Sequence, residues 1–541
     1  MKRGRPPLKT ETLPWILLPL AFLFVLTVRL NLRDMPISSD EGIYCYYGQM
    51  VLDGQPPYRY FYEIKPPGLY YAYGFLMLIF GDTLRGIHMA FTVINLLTMA
   101  MVFWIGRELL RDTLAATLAA VSFGFLSLGP FVFGFSVIAE PLMGFFSTGA
   151  LLLGLLGLNR EKPALLFLSG IAAHMAFQIK QTGGLFGLGV ALVIGAYDLS
   201  RRPIAWSALA ARLGLYLAGH AALLGIALAA IVAQGAWNDF VFWAYRFSTQ
   251  YVSEVPMSQG WQMLKFFFPK VVDRYEVFWI LAVIGWAGVL FSSLGAFRKW
   301  TLSIWIAVSF ASLAPGWRFY SHYWMNIVPA VSLAAGAAGM AIIALLKRRM
   351  GPAPAALYAL LAAALAVGQP LVLEEEYYFR PDPVKIWRRV EGSRPFPEAK
   401  VIGDYVGQRT REGETIVVIG TEPEVYFYSG RRCPSRHSYF NYLVCAHPLH
   451  REWQKEFIAD VEAARPKMFV FFKHPQSHFM SPHADQAIFT WAFDYIQKYY
   501  RPVAVADMLS PETTDYVYGT RAETYRPQSP LYIRVFERTA P

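Results

Sequence analysis

The sequence predicts a polytopic α-helical membrane protein carrying a C-terminal extracytoplasmic α/β domain. Three observations predict it. Of 541 residues, 55% are hydrophobic and only 16% charged, where soluble domains carry roughly 25% charged residues. Apolar runs long enough to cross a bilayer recur between residues 13 and 373. After Glu374 the hydropathy falls and short runs rich in β-branched and aromatic residues take over. The chain therefore divides into a membrane part, residues 1–373, and a soluble part, 374–541.

About eleven spans are expected from the apolar runs: 13–30, 85–106, 113–130, 141–158, 164–179, 184–197, 213–233, 276–295, 301–314, 323–346 and 353–373. Met1 to Lys9 is basic, but the run that follows nearly spans and no small-residue cleavage site comes after it. It reads as an uncleaved first helix. The linkers with Arg107 and Arg111, Arg160 and Lys162, Arg201 and Arg202, Arg298 and Lys299, and Lys347-Arg348-Arg349 alternate with linkers poorer in basic residues. Together with Lys2, Arg3, Arg5 and Lys9 they mark the cytoplasmic side. The amino terminus is then cytoplasmic and the C-terminal domain outside. The same alternation accounts for the net charge of +11, so nucleic acid is not expected as a partner.

Two outer loops are long. Loop 31–84 is rich in tyrosine, and loop 234–275 carries Trp237, Trp243, Tyr245 and Trp261 among Arg246, Lys265 and Lys270. Such residues favour the membrane interface, and both loops read as short helices along the outer surface. In the soluble part, Thr415–Ile419, Met468–Phe472 and Leu531–Phe536 read as strands, and Lys455–Ala464 and Ala487–Tyr499 as helices. Of the three cysteines, Cys433 and Cys445 both lie outside, as a disulfide or as two free thiols.

The chemistry-bearing residues gather in the outer loops. Ser39-Asp40-Glu41-Gly42 places two adjacent carboxylates near a membrane edge, where a charge usually faces water or a cavity. A carboxylate within reach of a hydroxyl can take its proton; the plain alternative is a pair of loop acids. Glu140, in Ile138-Ala139-Glu140-Pro141, is a second acid at the outer end of a nearly uncharged span. It is also placed to cap that helix. Lys65, in Lys-Pro-Pro-Gly, sits on a stiffened backbone and can hold a phosphate or snorkel to lipid headgroups. Lys180-Gln181 is a weaker signal. In Gly316-Trp317-Arg318-Phe319-Tyr320-Ser321-His322-Tyr323, Arg318 offers a planar fork for phosphate, with Tyr320 and His322 as neutral partners. Interfacial aromatics and a structural histidine are the alternative reading. Phosphate loops, nucleophile elbows and HExxH are absent from the sequence.

With Asp40-Glu41 and Lys65-Pro66-Pro67 in place, the chain resembles the GT-C glycosyltransferases, nearest the bacterial relatives of protein O-mannosyltransferases and lipid A aminoarabinose transferases. Gly81-Asp82-Thr83-Leu84-Arg85 resembles a further family element, as does the Arg318–Tyr323 segment before Pro329. The resemblance covers roughly residues 1–373. It implies a GT-C fold in the cell inner (plasma) membrane, a polyprenyl-phosphate sugar as donor and inversion at the anomeric carbon. By position it implies Asp40, Glu41 and Glu140 as catalytic residues. Lys65, Arg318, Tyr320 and His322 would hold the donor phosphate. The β-trefoil insert of eukaryotic protein O-mannosyltransferases is not present, so a lipid or glycan acceptor stands beside a protein one.

Asp40, Glu41, Glu63 and Glu140 offer oxygen ligands to a hard cation, but the resemblance implies no metal requirement and no cofactor. The expected function is an inverting glycosyltransferase acting on an extracytoplasmic acceptor. A flippase or transporter for a lipid-linked glycan is the alternative from another class, and would show internal symmetry and broken helices at mid-membrane. A glycan ligase or polymerase would share the lipid donor.

Overall fold

The computed structural model describes residues 12–478 and 485–539. The basic residues Lys2, Arg3, Arg5 and Lys9 lie outside the described residues. In hydrocarbon every backbone polar group must be satisfied within its own segment, so the apolar runs fold as helices. All eleven runs are helical, for example Leu13–Asn31, Leu84–Leu110, Ala139–Asn159, Trp206–Ala233 and Pro352–Leu373. Among the described residues, six helices are long and apolar enough to cross a membrane alone. Thr113–Leu126, Pro163–Ile179 and Gly183–Leu199 are shorter.

Polar punctuation sets the helix ends. The Thr83 hydroxyl accepts from Gly86 N at 3.1 Å, and Asp112 accepts from Ala115 N at 2.8 Å, each satisfying a donor freed at a helix start. Gly351, at φ 83°, turns the chain between Val328–Met350 and Pro352–Leu373. Close packing relies on small residues. A Cβ at Gly285 would overlap the Ala334 carbonyl, so only glycine allows that helix to approach Val328–Met350.

The outer loops fold as helices but are not simply laid along a surface. Ser39–Leu52 is buried through most of its length. It packs beside Gly68–Phe80, an apolar helix whose Phe75, Leu78 and Ile79 are exposed. In the second long loop, Met257–Val272 meets Glu276–Phe291 at a 101° bend. The break falls at Asp273-Arg274, where Arg274 takes a positive φ.

The soluble domain holds a five-stranded mixed sheet in the order β1-β2-β5-β3-β4. Its strands are β1 Ile416–Ile419, β2 Met468–Lys473, β3 Tyr500–Ser510, β4 Thr513–Tyr518 and β5 Tyr532–Arg538. Only β1 and β2 pair in parallel; the other pairs are antiparallel. The β3–β4 hairpin is an addition to the sequence reading. Pro502 and the buried Asp507 interrupt its apolar pattern. Asp507 is accommodated because its carboxylate accepts from Gln528 N, Ser529 N and the Tyr525 hydroxyl at 2.7–3.1 Å. The two thiols Cys433 and Cys445 are free.

This domain roofs the Ser39–Leu52 helix. Trp387 donates to the Pro36 carbonyl at 3.0 Å, and Ile37 N–H donates to the Tyr428 hydroxyl at 2.7 Å. Arg432 bonds Asp53, and Cys433 N–H donates to the Tyr46 hydroxyl at 2.9 Å. Gly42 lies so close to Glu424 that any side chain there would collide with its backbone.

Candidate active site under the soluble domain

The two adjacent carboxylates have opposite environments. Glu41 is fully buried and holds four hydrogen bonds. Its Oε2 accepts from Ser38 N and Ser38 Oγ, both at 2.7 Å, which closes a capping box at the helix start. Its Oε1 accepts from Ser136 Oγ at 2.7 Å and Val137 N at 2.6 Å. Burial raises its pKa, against the pull of those bonds. Asp40, one residue earlier in the same turn, is half-buried and has no hydrogen bond or ion pair among the described residues. The Glu41 side chain is tied into the scaffold, and that of Asp40 is not.

Asp40 faces a ring of charged and aromatic groups from several elements. Its charge acts on Tyr44, Tyr251, His322, Tyr323, Tyr439 and Glu391. Lys65 and Glu140 act on the same Tyr323 and His322. Loop 31–84, the start of Ala139–Asn159, the Lys180 linker, the Arg318–Tyr323 segment and the soluble domain therefore converge on one space.

Within it, Glu140 is buried in the first turn of its helix and ion-paired with Lys180. His322 Nε2 stands 3.9 Å from the same carboxylate. The Lys180 ammonium also lies 3.8 Å from the centre of the Tyr323 ring, a cation–π contact. Lys65 is held at 3.8 Å from Glu63 Oε1. Glu63 in turn accepts from Lys65 N at 2.8 Å, Tyr442 OH at 3.0 Å and Tyr70 OH at 3.3 Å. Gln181 donates to the Ile64 carbonyl at 2.6 Å, which ties the Lys180 linker to the Lys65 loop.

The remaining predicted residues are placed as follows. Arg318 donates to Glu254 at 2.8 Å and to the Tyr251 carbonyl at 3.1 Å, with its guanidinium 4.0 Å from the Tyr251 ring centre. Tyr320 stacks on His322 at 5.9 Å between ring centres. Arg85, in the family-like Gly81–Arg85 element, makes a two-point bond to Asp34 on the surface and is exposed. Lys180, a weak signal in the sequence, stands inside the site; a lone cation between two uncharged apolar runs is what marks it. The contribution of the soluble domain escapes the sequence reading: it brings Glu391 and Arg394, 3.3 Å apart. Burial raises the Glu391 pKa.

As oxygen ligands for a cation, Glu41 and Glu63 are already engaged by hydrogen-bond donors. Among the described residues no group of three or more His, Cys, Asp or Glu is arranged to hold a metal.

Known proteins show the same arrangement of elements. ArnT from Cupriavidus metallidurans bound to undecaprenyl phosphate superposes over 98% of this chain and 99% of its own, with a TM-score of 0.56 at 15% identity. The chain has the GT-C fold. The Archaeoglobus fulgidus oligosaccharyltransferase tethered with an acceptor peptide is also similar, at a TM-score of 0.53 and 14% identity over 94% of this chain and 74% of that one. Residues 64–228 match the family of dolichyl-phosphate-mannose-protein mannosyltransferases. The matched stretch of this GT-C protein includes Lys65, Glu140 and Lys180 and leaves Asp40 and Arg318 outside. No curated protein sequence is a match.

Proposed function

We propose that this GT-C protein is an inverting glycosyltransferase that moves a sugar from a polyprenyl-phosphate donor to an acceptor outside the cytoplasm. The observation that carries the reading is the carboxylate of Asp40, without a hydrogen bond or ion pair among the described residues, acting on the same His322 as Lys65 and Lys180 beneath the soluble domain. Asp40 accepts the proton of the acceptor's hydroxyl as its oxygen attacks the anomeric carbon. A new C–O bond forms on one face of the sugar while the bond to the phosphate oxygen breaks on the other. The departing polyprenyl phosphate keeps that electron pair, and its charge is met by Lys65. Arg318, Tyr320 and His322 line the phosphate side. Glu140 fixes Lys180 and His322 and so sets the field in which the leaving group departs. Glu41 holds the turn that presents Asp40. The likeness in fold to ArnT and that protein's bound undecaprenyl phosphate support a lipid phosphate as the leaving group.

Reconstituted protein given a polyprenyl-phosphate sugar and candidate acceptors tests the reading. Release of polyprenyl phosphate in step with sugar transfer is expected. Movement of intact donor between leaflets without release would make the protein a flippase.

A further inference from the structure

At the end of the bundle opposite Asp40 the helix termini enclose an open hollow of about 590 Å³. Five arginines line it, from four separate places in the chain. Arg107 and Arg111 end Leu84–Leu110, Arg160 follows Ala139–Asn159, Arg201 follows Gly183–Leu199 and Arg298 opens Ala296–Ala311. None of these serves the site beneath the soluble domain. We propose that the hollow binds the phosphate of an anionic phospholipid headgroup.

The charge balance supports an anion. Two glutamates, Glu108 and Glu161, are the only acids in the lining. Glu108 is committed: its Oε2 accepts from Asn159 at 2.8 Å, its Oε1 lies 3.7 Å from Arg160, and its carbonyl accepts from Arg298 at 3.2 Å. The three helices that end here add about half a negative charge each, which still leaves the arginines in excess. Arg111 has no hydrogen bond or ion pair among the described residues, and its charge repels Arg298. Arg201 has only the Tyr197 ring, 3.8 Å away. Two guanidinium groups thus face the hollow without an anionic partner, in the planar geometry that suits a phosphate.

The bilayer is the source the geometry favours. The hollow lies at the ends of helices long and apolar enough to cross a membrane, and its lining includes Trp104, which is 50% exposed. Tryptophan at such a boundary marks the junction of headgroup and acyl chain. Basic hollows between membrane helices are where anionic headgroups dock. The ordinary alternative is that these arginines serve only to orient the chain in the membrane. Orientation depends on charge anywhere on that side, whereas a site depends on these residues.

Native mass spectrometry of the full-length protein, purified and then given phosphatidylglycerol or phosphatidylcholine, separates the two. We expect phosphatidylglycerol to be retained about tenfold more tightly than phosphatidylcholine, and Arg111→Gln/Arg201→Gln to lose that preference. Arg111→Gln alone breaks no contact in the fold, so a partial loss there shows the same effect without a folding defect. Arg348→Gln/Arg349→Gln removes equal charge outside the hollow and should leave the preference intact. Equal loss in both double variants would overturn the site in favour of diffuse attraction. Retention unchanged in Arg111→Gln/Arg201→Gln would overturn it outright. Binding of inorganic phosphate with no preference between the lipids would overturn the lipid assignment.

Discussion

Glu41 and Asp40 are neighbours in sequence but differ in what a substitution should do. Glu41→Gln places an amide opposite backbone and hydroxyl donors, so at least one buried N–H loses its acceptor. A loss of about 1–3 kcal/mol in stability is expected, read as a lower Tm, with the residual folded protein still turning over. The two lysines divide in a similar way. Lys65→Ala should weaken donor binding about 10- to 100-fold, the equivalent of a charge-assisted contact of about 1.5–3 kcal/mol, with little change in Tm because Glu63 keeps three other donors. Lys180→Ala should instead destabilise the protein by about 3–5 kcal/mol, since it strands the buried Glu140 charge. Donor affinity by titration and Tm by scanning, measured on both variants, check the division. Asp40 and Lys65 are legible in the sequence because a charge in apolar surroundings asks for a reason. The locking of Glu41 is not, since Ser136 and Val137 lie 95 and 96 residues away.

The element that couples the soluble domain to the site is the seam between Ser39–Leu52 and Glu424–Ser429. Glu422 and Glu424 are both buried there, and both Glu424 oxygens lack a hydrogen-bond partner in the structure. Burial pushes the Glu422 pKa up to about 8 and raises that of Glu424 well above the ordinary range; repulsion between the two adds to the Glu424 shift. A carboxyl raised on folding holds its proton in the native state and loses it on unfolding. Its stabilising effect is complete below the ordinary value of 4.5 and is lost as pH rises through the folded pKa. Tm should therefore fall between about pH 5 and pH 8.5, and Glu424→Gln should fall less steeply than the wild type. Parallel pH profiles for the two proteins would remove the seam from the explanation. At this scale the helices are legible because long apolar runs admit only one structure in hydrocarbon. The β3–β4 hairpin is not, because Pro502 and Asp507 hide a strand whose polar group is satisfied only by distant partners.

For the whole molecule, the polytopic helical architecture is legible from the apolar runs, and the GT-C fold enters through the resemblance that a few charged motifs carry. The convergence of five segments beneath the soluble domain is not, because proximity across a bundle leaves no local pattern. With the alternating basic linkers, a carboxyl-terminal reporter active only in the cytoplasm should be silent, and a reporter active only outside should work. The chemistry itself is tested by comparing Asp40→Asn with the wild type in proteoliposomes supplied with a polyprenyl-phosphate sugar and its acceptor. The substitution keeps the size of the side chain but removes its charge and its ability to take a proton. Polyprenyl phosphate release should fall by about 10²–10⁴ while the donor still binds with wild-type affinity. Release within a fewfold of the wild type would contradict a catalytic Asp40.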